Sequence, residues 1–363
     1  MFDAPSSPPP PPVRRRLRWR FVALAVVLVL IAGASAGALV AWRAWTSPGP
    51  LAEPAQIVVP RGGMERIAAT LVERGVIRDA RAFAAAAWLT RGDGPLRAAE
   101  FVFPAGVPLR EVLRILRHER PVQRRLTIPE GLTAHQIRAL LERTESLAGD
   151  IPDFNEGELL PETYAYEWGE TRGAIVRRAD AAMDRALSEA WAARAPDLPL
   201  ANPREALVLA SIVERETGKP EERARVAGVF INRLRRGMPL QSDPTVAYAA
   251  TGGAPMDRPI SRADLDRDNP FNTYRNRGLP PAPIANPGRA SIAAVMRPEA
   301  TDFLYFVADG SGGHAFARTL EEHNRNVARW REIERGGSGG ASAPALPPAP
   351  AARSPSGPSG GRR

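Results

Sequence analysis

One stretch near the start of the chain restricts its possible folds more than any other: Phe21 to Trp42 contains no charged residue. A helix needs about 20 predominantly apolar residues to cross the hydrocarbon core of a bilayer. Tryptophans flank the run at positions 19, 42 and 45, as interfacial aromatic residues do. An arginine cluster precedes it: Arg14, Arg15, Arg16, Arg18 and Arg20. The run therefore predicts a transmembrane helix over residues 21–42.

The arginine cluster also predicts the direction of this helix. Positive residues next to a transmembrane segment stay in the cytoplasm. We therefore expect the Pro/Arg-rich residues 1–20 there and everything after Trp45 outside. A cleaved signal peptide is the alternative, because the small residues of "AGASAGA" suit a signal peptidase. The apolar run is longer than a usual signal-peptide core, so we favour an uncleaved anchor, followed by a linker over residues 46–54.

The charge and residue usage of the chain restrict its chemistry. The formal net charge is +9, and Lys219 is the only lysine, so almost all of the positive charge is arginine. It is spread thinly, so we expect no nucleic-acid partner, and an acidic cell-surface polymer suits the charge as well. The absence of cysteine excludes disulfides, thiol catalysis and thiolate metal sites. The four histidines, His314 and His323 among them, lack metal-ligand spacing, so we predict no metal and no cofactor.

Residues 55–120 predict a small unit of strands and helices. The pattern predicts, in order, a strand at 57–59, helices at 64–73 and up to Thr90, a strand at 99–103 and a helix at 109–117. Gly75 supplies a helix stop, and Asp79 is the predicted N-cap of the second helix. This β-α-α-β-α order resembles the LysM-like domains that bind cell-wall glycan.

The larger part of the chain, residues 125–335, predicts a mixed α/β domain, so the fold class is α+β. The segment "LTIPEGLT" predicts a strand and turn, with Thr133 capping the next helix, and "LLPETYAYEWG" predicts a loop or edge strand. Helices are predicted at 174–193, 204–217, 221–236 and 320–334, and a strand at 301–309. Residues 238–290 predict an irregular functional stretch or a structural wrap. Residues 336–363 predict a disordered tail.

The helix predicted at residues 204–217 ends on two glutamates with different surroundings. A helix turns about 100° per residue, so Glu216 continues the apolar face that contains Leu209 and Ile212. Glu214 falls on the opposite side, where it would be solvated or hydrogen-bonded. A carboxyl in apolar surroundings resists ionisation, so its pKa rises toward the range useful to a general acid. The alternative is that Glu216 pairs with a buried arginine such as Arg233.

Long blocks of this sequence resemble one family. They are "ASIVERETGKPEERARVAGVFINRLRRGMPLQSDPTVAYA", "RPISRADLDRDNPFNTYRNRGLPPAPIANPG" and "FLYFVADGSGGHAFARTLEEHN". Together with "LTIPEGLT" and the anchor, they resemble the YceG-like family of MltG-type endolytic murein transglycosylases, from about Arg16 to Glu334. The resemblance implies that the second glutamate of "ERET", Glu216, is the catalytic acid/base. Leu160 and Glu162 depart from the family, which more often has phenylalanine and aspartate there, so the role of that loop stays open.

The resemblance also implies a reaction and a location. A membrane-anchored lytic transglycosylase would cleave the bond between N-acetylmuramic acid and N-acetylglucosamine within nascent peptidoglycan strands. It would leave 1,6-anhydro-N-acetylmuramic acid ends and terminate strand elongation, with peptidoglycan synthases as possible partners. The YceG-like catalytic domain, residues 125–335, would then be periplasmic, on a single helix in the inner membrane.

Polar residues near the catalytic helix are predicted to hold sugar rather than break bonds: Asn232, Gln241, Ser242, Asp243, Asn272, Thr273 and Tyr274. Amides and aromatic faces suit neutral sugars, and local capping or turn chemistry is the alternative for each residue. Two other functions stay open at this point. One is a non-catalytic glycan-binding scaffold, and the other is a muramidase in which Asp243 supplies a second carboxylate.

Overall fold

The computed structural model describes residues 14–336. The tail predicted at 1–20 lies partly outside this range, and the tail predicted at 336–363 lies almost wholly outside it. Helix α1 spans Arg14–Thr46, so it begins before the predicted span and ends after it. Its segment Trp19–Thr46 is the one helix within the described range that is long and apolar enough to cross a membrane. Its apolar side chains are exposed, which suits contact with lipid.

The described chain divides into two compact units. The first ends at Arg124 and also contains Glu167–Gly169, and the second consists of the other described residues. In the first unit, strands β1 (Ala55–Val58) and β2 (Glu100–Phe103) pair antiparallel. Its helices after α1 are α2 (Met64–Glu73), α3 (Ala80–Leu89) and α4 (Leu109–His118). The predicted β-α-α-β-α order is confirmed, and the likeness to LysM domains stays a prediction.

Local signals define the helices of the first unit as the sequence predicts. Asp79 caps α3 by accepting a hydrogen bond from Arg81 N at 2.7 Å. Gly75 follows α2 with φ = 68°, a conformation that residues with a Cβ rarely adopt. The apolar faces of the helices meet the strands in a single core that contains Leu71 and Phe101, both fully buried.

The second unit begins with a small sheet and two helices. Strand β3 (Arg124–Thr127) pairs with β4 (Thr163–Tyr166), and the helices are α5 (Ala134–Arg143) and α6 (Arg172–Ala192). Thr133 caps α5 in a capping box with Gln136, as predicted for Thr133. The departures from the family pattern lie beside β4, where Leu160 is buried and Glu162 accepts a hydrogen bond from Arg289 at 2.7 Å.

The main core of the second unit is helical. Its later elements are α7 (Pro203–Glu216), α8 (Arg223–Arg235), α9 (Asp243–Thr251), α10 (Arg262–Leu265) and α11 (Arg289–Met296). They are followed by an antiparallel hairpin of β5 (Tyr305–Ala308) and β6 (His314–Ala317), and by α12 (Leu320–Gly336). Apolar side chains of α6, α7, α8 and α11 form the core.

The structure corrects the sequence prediction for the late part of the second unit. Helices α9, α10 and α11 and strand β6 were not predicted, and residues 238–290 are only partly irregular because they contain α9 and α10. These elements are short, and isolated short helices are marginal without tertiary packing. In α10, for example, a four-residue helix is held by Asp264, which accepts hydrogen bonds from Arg258 at 2.6 and 3.0 Å.

Candidate active site

Helix α7 carries both glutamates to its last turn. Asn202 caps the other end by accepting a hydrogen bond from Glu205 N at 3.0 Å, and every residue from 206 to 213 is buried. The helix ends at Glu216, and the next residue is extended. The last carbonyls of a helix lack intrahelical partners, and their partial negative charge disfavours a nearby carboxylate.

Glu216 has the environment of a general acid. It is partly buried, and the Ser242 hydroxyl donates a hydrogen bond to its Oε1. The pKa of Glu216 is raised from 4.5 to about 7, chiefly because burial penalises the charged form and also because Asp243 is nearby. The Ser242 hydrogen bond and the charge of Arg233 act in the opposite direction. A large fraction of Glu216 is therefore protonated near neutral pH, as proton donation to a leaving group requires.

Glu214 has a different environment, although it is only two residues away. Its side chain is 5% exposed, its Oε2 accepts a hydrogen bond from Gly288 N at 2.9 Å, and its Oε1 lies 3.7 Å from Arg223 Nη2. The predicted hydrogen-bonded state is confirmed, and solvation is excluded by burial. Glu214 therefore ties the end of α7 to the start of α11.

The alternative pairing of Glu216 with Arg233 is wrong. Within the described residues no ion pair joins the two side chains. Arg233 instead donates hydrogen bonds at 2.6 Å to the backbone oxygens of Leu304 and Leu240, and its guanidinium lies over the Tyr305 ring. Arg233 is thus a buried cation that binds backbone oxygens and acts on Glu216 only through its field.

Asp243 and Tyr274, both predicted from sequence, form a hydrogen-bonded pair beside Glu216. The Tyr274 hydroxyl donates to Asp243 Oδ1 at 2.7 Å. Burial raises the pKa of Asp243, while the Tyr274 hydrogen bond opposes this rise. Burial and the Asp243 carboxylate raise the pKa of Tyr274 as well, which keeps its phenol protonated.

Three of the predicted sugar-binding residues are almost fully buried, and one of them, Ser242, is 1% exposed and donates its hydrogen bond to Glu216 rather than facing solvent. Asn272 and Thr273 are 0% and 1% exposed, so neither offers a surface to a sugar in this structure. Asn272 Nδ2 donates to the backbone oxygens of Leu265 and Arg267, both at 2.9 Å, and its Oδ1 accepts from Tyr274 N at 3.0 Å. Both residues position the loop that carries Tyr274.

The side-chain amides of Asn232 and Gln241 differ in whether they are hydrogen-bonded to the protein. Asn232 Nδ2 donates to the backbone oxygens of Thr301 and Phe303, at 2.7 and 3.1 Å, so its amide hydrogens have structural partners. The side chain of Gln241 is half-buried and has no hydrogen bond to any described residue. Gln241 also adopts φ = 49°, a left-handed conformation that is uncommon outside glycine and clusters at functional sites.

Sequence reasoning did not identify two further acidic residues of the second unit. Burial raises the pKa of Glu156 to about 7, and its Oε2 accepts a hydrogen bond from Ala134 N at 2.8 Å, at the start of α5. Glu130 lies 3.5 Å from Arg223 Nη2, close to Glu214. Glu130 belongs to the "LTIPEGLT" block, which was the available signal, whereas no sequence pattern marked Glu156.

The arrangement can perform acid/base chemistry at a single carboxyl. The Glu216 carboxyl accepts its hydrogen bond from a hydroxyl, whereas Glu214 accepts from a backbone amide and lies beside a cation. A carboxyl with a pKa near the working pH can both give and take a proton in one reaction cycle. No group of three His, Cys, Asp or Glu side chains in residues 14–336 is arranged to hold a metal ion.

Comparisons with known proteins agree with the sequence resemblance. An endolytic murein transglycosylase of Streptococcus pneumoniae is 30% identical, covering 74% of this chain and 57% of its own. One of Bacillus subtilis is 49% identical over 33% of this chain and 32% of its own. The crystal structure of a YceG-like protein of Listeria monocytogenes is 28% identical and covers 76% of this chain and 99% of its own, with a TM-score of 0.47.

The relatives differ in how much of their own length this chain covers. The chain spans little more than half the length of the pneumococcal relative and about a third of the Bacillus one. The sequence model of the YceG-like family, by contrast, matches residues 57–329. That range contains most of the chain, including α7 with both of its glutamates, and the chain therefore belongs to the YceG-like family.

Proposed function

We propose that this chain is a membrane-anchored lytic transglycosylase that cleaves peptidoglycan strands away from their ends. The observation that carries the proposal is the environment of Glu216. It is a partly buried carboxyl with a pKa near 7, at the end of the helix that carries the most specific sequence block. The relatives' name, endolytic murein transglycosylase, supports the substrate class and the internal mode of cleavage.

In the proposed reaction Glu216 first acts as an acid. It protonates the oxygen that joins N-acetylmuramic acid to N-acetylglucosamine, and the bond from that oxygen to C1 of the muramic acid breaks. Positive charge develops at C1 in an oxocarbenium-like transition state, as in other glycosidic cleavages, and the 2-acetamido group of the substrate stabilises it. The released sugar then carries the proton that Glu216 donated.

Glu216 then acts as a base. As the C6 oxygen of the same muramic acid bonds to C1, the Glu216 carboxylate takes the proton of the C6 hydroxyl. A 1,6-anhydro ring closes, no water is consumed, and Glu216 returns to its protonated state. One carboxyl suffices because the nucleophile belongs to the substrate, whereas a hydrolase needs a second group to activate water.

The side chains around Glu216 have separate roles in this proposal. Gln241 is our main candidate for a sugar contact, because its half-buried amide has no protein partner among the described residues. Tyr274 and Asp243 offer further contacts at the edge of the site, and Asn232 retains only its amide oxygen.

We propose that α1 anchors the chain in the inner membrane. The arginines at its start favour a cytoplasmic N-terminus, and we therefore propose that both units are periplasmic. Cleavage there would terminate the elongation of nascent strands, and peptidoglycan synthases are the proposed partners. The proposal of such partners rests on the proposed reaction and location.

The product distinguishes this function from its alternatives. The full chain, purified in detergent, is incubated with isolated glycan strands, and the products are separated and weighed by mass spectrometry, with Glu216→Gln as control. We expect 1,6-anhydro ends on fragments of intermediate length early in the digest. Reducing ends would identify a hydrolase, with Asp243 as its first candidate base. Terminal disaccharides alone would contradict internal cleavage, and strand binding without products would identify a scaffold.

A further inference from the structure

Ser242 does not make the contact that its position in the fold favours. It is the N-cap residue of α9, where a serine hydroxyl usually accepts a hydrogen bond from the first turn of the helix. Its side chain makes no such bond. The hydroxyl donates to Glu216 Oε1 instead, across 26 residues of sequence.

The backbone of Ser242 is fixed by a closed ring of hydrogen bonds. Ser242 N donates to Thr273 Oγ1 at 3.0 Å, and Thr245 Oγ1 donates to Ser242 O at 2.6 Å. The two threonine hydroxyls lie 2.8 Å apart. A hydroxyl can donate only one hydrogen bond, and Thr245 donates its own to Ser242 O. The Thr273 hydroxyl is therefore the donor in the bond between the two threonines. Every member of the ring is 0% or 1% exposed.

The ring does not use the Ser242 hydroxyl, which is hydrogen-bonded to Glu216. The backbone N–H and C=O of Ser242 are both paired inside the ring, and the preceding residue, Gln241, has the unusual φ of 49°. The local backbone thus directs the hydroxyl to Glu216 at the expense of a helix cap. Such departures from local preference cluster at functional sites.

We propose that Ser242 is a positioning residue for Glu216, held by the Thr245–Thr273 hydroxyl pair, and that it assigns different tasks to the two carboxyl oxygens. Oε1 accepts the Ser242 proton, so Oε2 carries the proton that is given to the glycosidic oxygen. Once Glu216 is a carboxylate, the Ser242 bond becomes charge-assisted and stronger. Ser242 therefore stabilises the transition state more than the ground state, which raises kcat.

Charged groups around Glu216 also act on its pKa. Asp243 at the start of α9 favours the protonated form, while Arg233 from α8 and the Ser242 hydroxyl favour the carboxylate. Tyr274 lies near the Glu216 carboxyl, and its hydroxyl donates a hydrogen bond to Asp243. Removing Ser242 or Asp243 should therefore move the titration of Glu216 in opposite directions.

The kinetic test rests on the proposed function and uses the full chain in detergent. Ser242→Ala should lower kcat about tenfold or more, the loss of one hydrogen bond to a charged group, with little change in KM. The alkaline limb of its pH profile should move to higher pH, and that of Asp243→Asn to lower pH. A raised KM with an unchanged profile would mean that Ser242 contacts sugar, and would overturn the proposal.

The ring supplies a matched pair of variants. Thr245→Val keeps the shape of the side chain but removes the hydroxyl, so kcat should fall in the same manner as in Ser242→Ala. Thr245→Ser keeps the hydroxyl and should restore most of the rate. If thermal unfolding shows that Thr245→Val is folded and its kcat equals that of the wild type, the proposed role of the ring is wrong.

A second measurement separates this inference from the proposed reaction. Infrared difference spectra of the full chain at several pH values detect the carboxylic acid band that is lost in Glu216→Gln. That band should titrate at higher pH in Ser242→Ala and at lower pH in Asp243→Asn, with no substrate present. If the wild type is inactive but the band shifts as expected in the two variants, Ser242 positions Glu216 and the proposed reaction is wrong. An unmoved band would overturn the positioning.

Discussion

At the scale of single residues, Glu214 and Glu216 show how identical side chains acquire different chemistry within one helical turn. Glu214 has a backbone amide at 2.9 Å and a guanidinium at 3.7 Å. Glu216 has a serine hydroxyl, a buried setting and a nearby aspartate. In the first environment two donors hold the carboxyl in place, and in the second burial and Asp243 favour the protonated form. Only the second is useful to a general acid.

The two glutamates should respond differently to the same substitution. Glu216→Gln should lower the rate of glycan cleavage by about a hundredfold or more, the lower range for general acid–base catalysis, because glutamine has no proton to give. Glu214→Gln keeps an acceptor for Gly288 N and should lose less than about tenfold. Initial rates on isolated glycan strands measure both. Equal losses in two well-folded variants would contradict the assignment of Glu216 as the acid.

The raised pKa of Glu216 also predicts a change in stability with pH. The folded protein holds this proton more tightly than the unfolded chain between pH 4.5 and about 7. The free energy of unfolding therefore falls as pH rises through that window, and the penalty is complete above about pH 7.

Glu216→Gln removes that penalty. It should stabilise the protein above pH 7 by up to about 3 kcal/mol, a gain that disappears toward pH 4. Thermal unfolding of the two proteins at a series of pH values measures the difference. Glu214→Gln is the matched control and should not stabilise the protein, because it removes the ion pair with Arg223. A constant difference at all pH values would mean that Glu216 titrates normally.

At the scale of elements, the site depends on how closely α8 packs. This helix carries Arg233 and precedes the loop that leads to Ser242. At Gly228 its backbone lies so close to the chain at Glu299 that a Cβ would stand 2.6 Å from Glu299 O. The neighbouring atom belongs to the backbone and cannot rotate away.

Gly228→Ala tests this packing by setting two effects against each other. Alanine favours a helix over glycine by about 1 kcal/mol, whereas overpacking against fixed atoms costs about 1–3 kcal/mol. We expect the cost to prevail and the melting temperature to fall. Gly92→Ala is the control, because nothing lies within 4 Å of its Cβ, and it should leave the melting temperature unchanged or slightly raised. A stabilised Gly228→Ala would mean that α8 can shift.

At the scale of the whole molecule, one apolar helix and an arginine-rich start determine the proposed location. Most of the large apolar side chains exposed among the described residues lie on α1, and those of the other elements are mostly buried. A surface of this kind is stable in a bilayer rather than in water.

The absence of cysteine makes the orientation testable with no background labelling. A membrane-impermeant maleimide added to spheroplasts should label Glu332→Cys, an exposed position on α12, and should not label wild type. Ser7→Cys, which precedes α1 in the sequence, should react only after the membrane is opened. Labelling of Ser7→Cys in intact spheroplasts would reverse the proposed orientation, and a shortened mature chain would replace the anchor with a signal peptide.

The sequence by itself determined the features that depend on neighbours along the chain. The bounds of α2, the caps at Asp79 and Thr133, and the apolar face that leads to Glu216 follow from helical spacing and local hydrogen bonds. A helix long and apolar enough to span a membrane follows from length and polarity alone.

Tertiary structure decided the features that join distant residues. Asn272 and Thr273 are polar and follow a turn-rich stretch, so sequence placed them at a sugar, whereas packing buried them. Ser242 has the sequence signature of a helix cap, and only the fold brings Glu216 within reach of its hydroxyl. The short helices α9 and α10 formed for the same reason. Their local free energy is too small to specify them, and contacts across the second unit supply the rest.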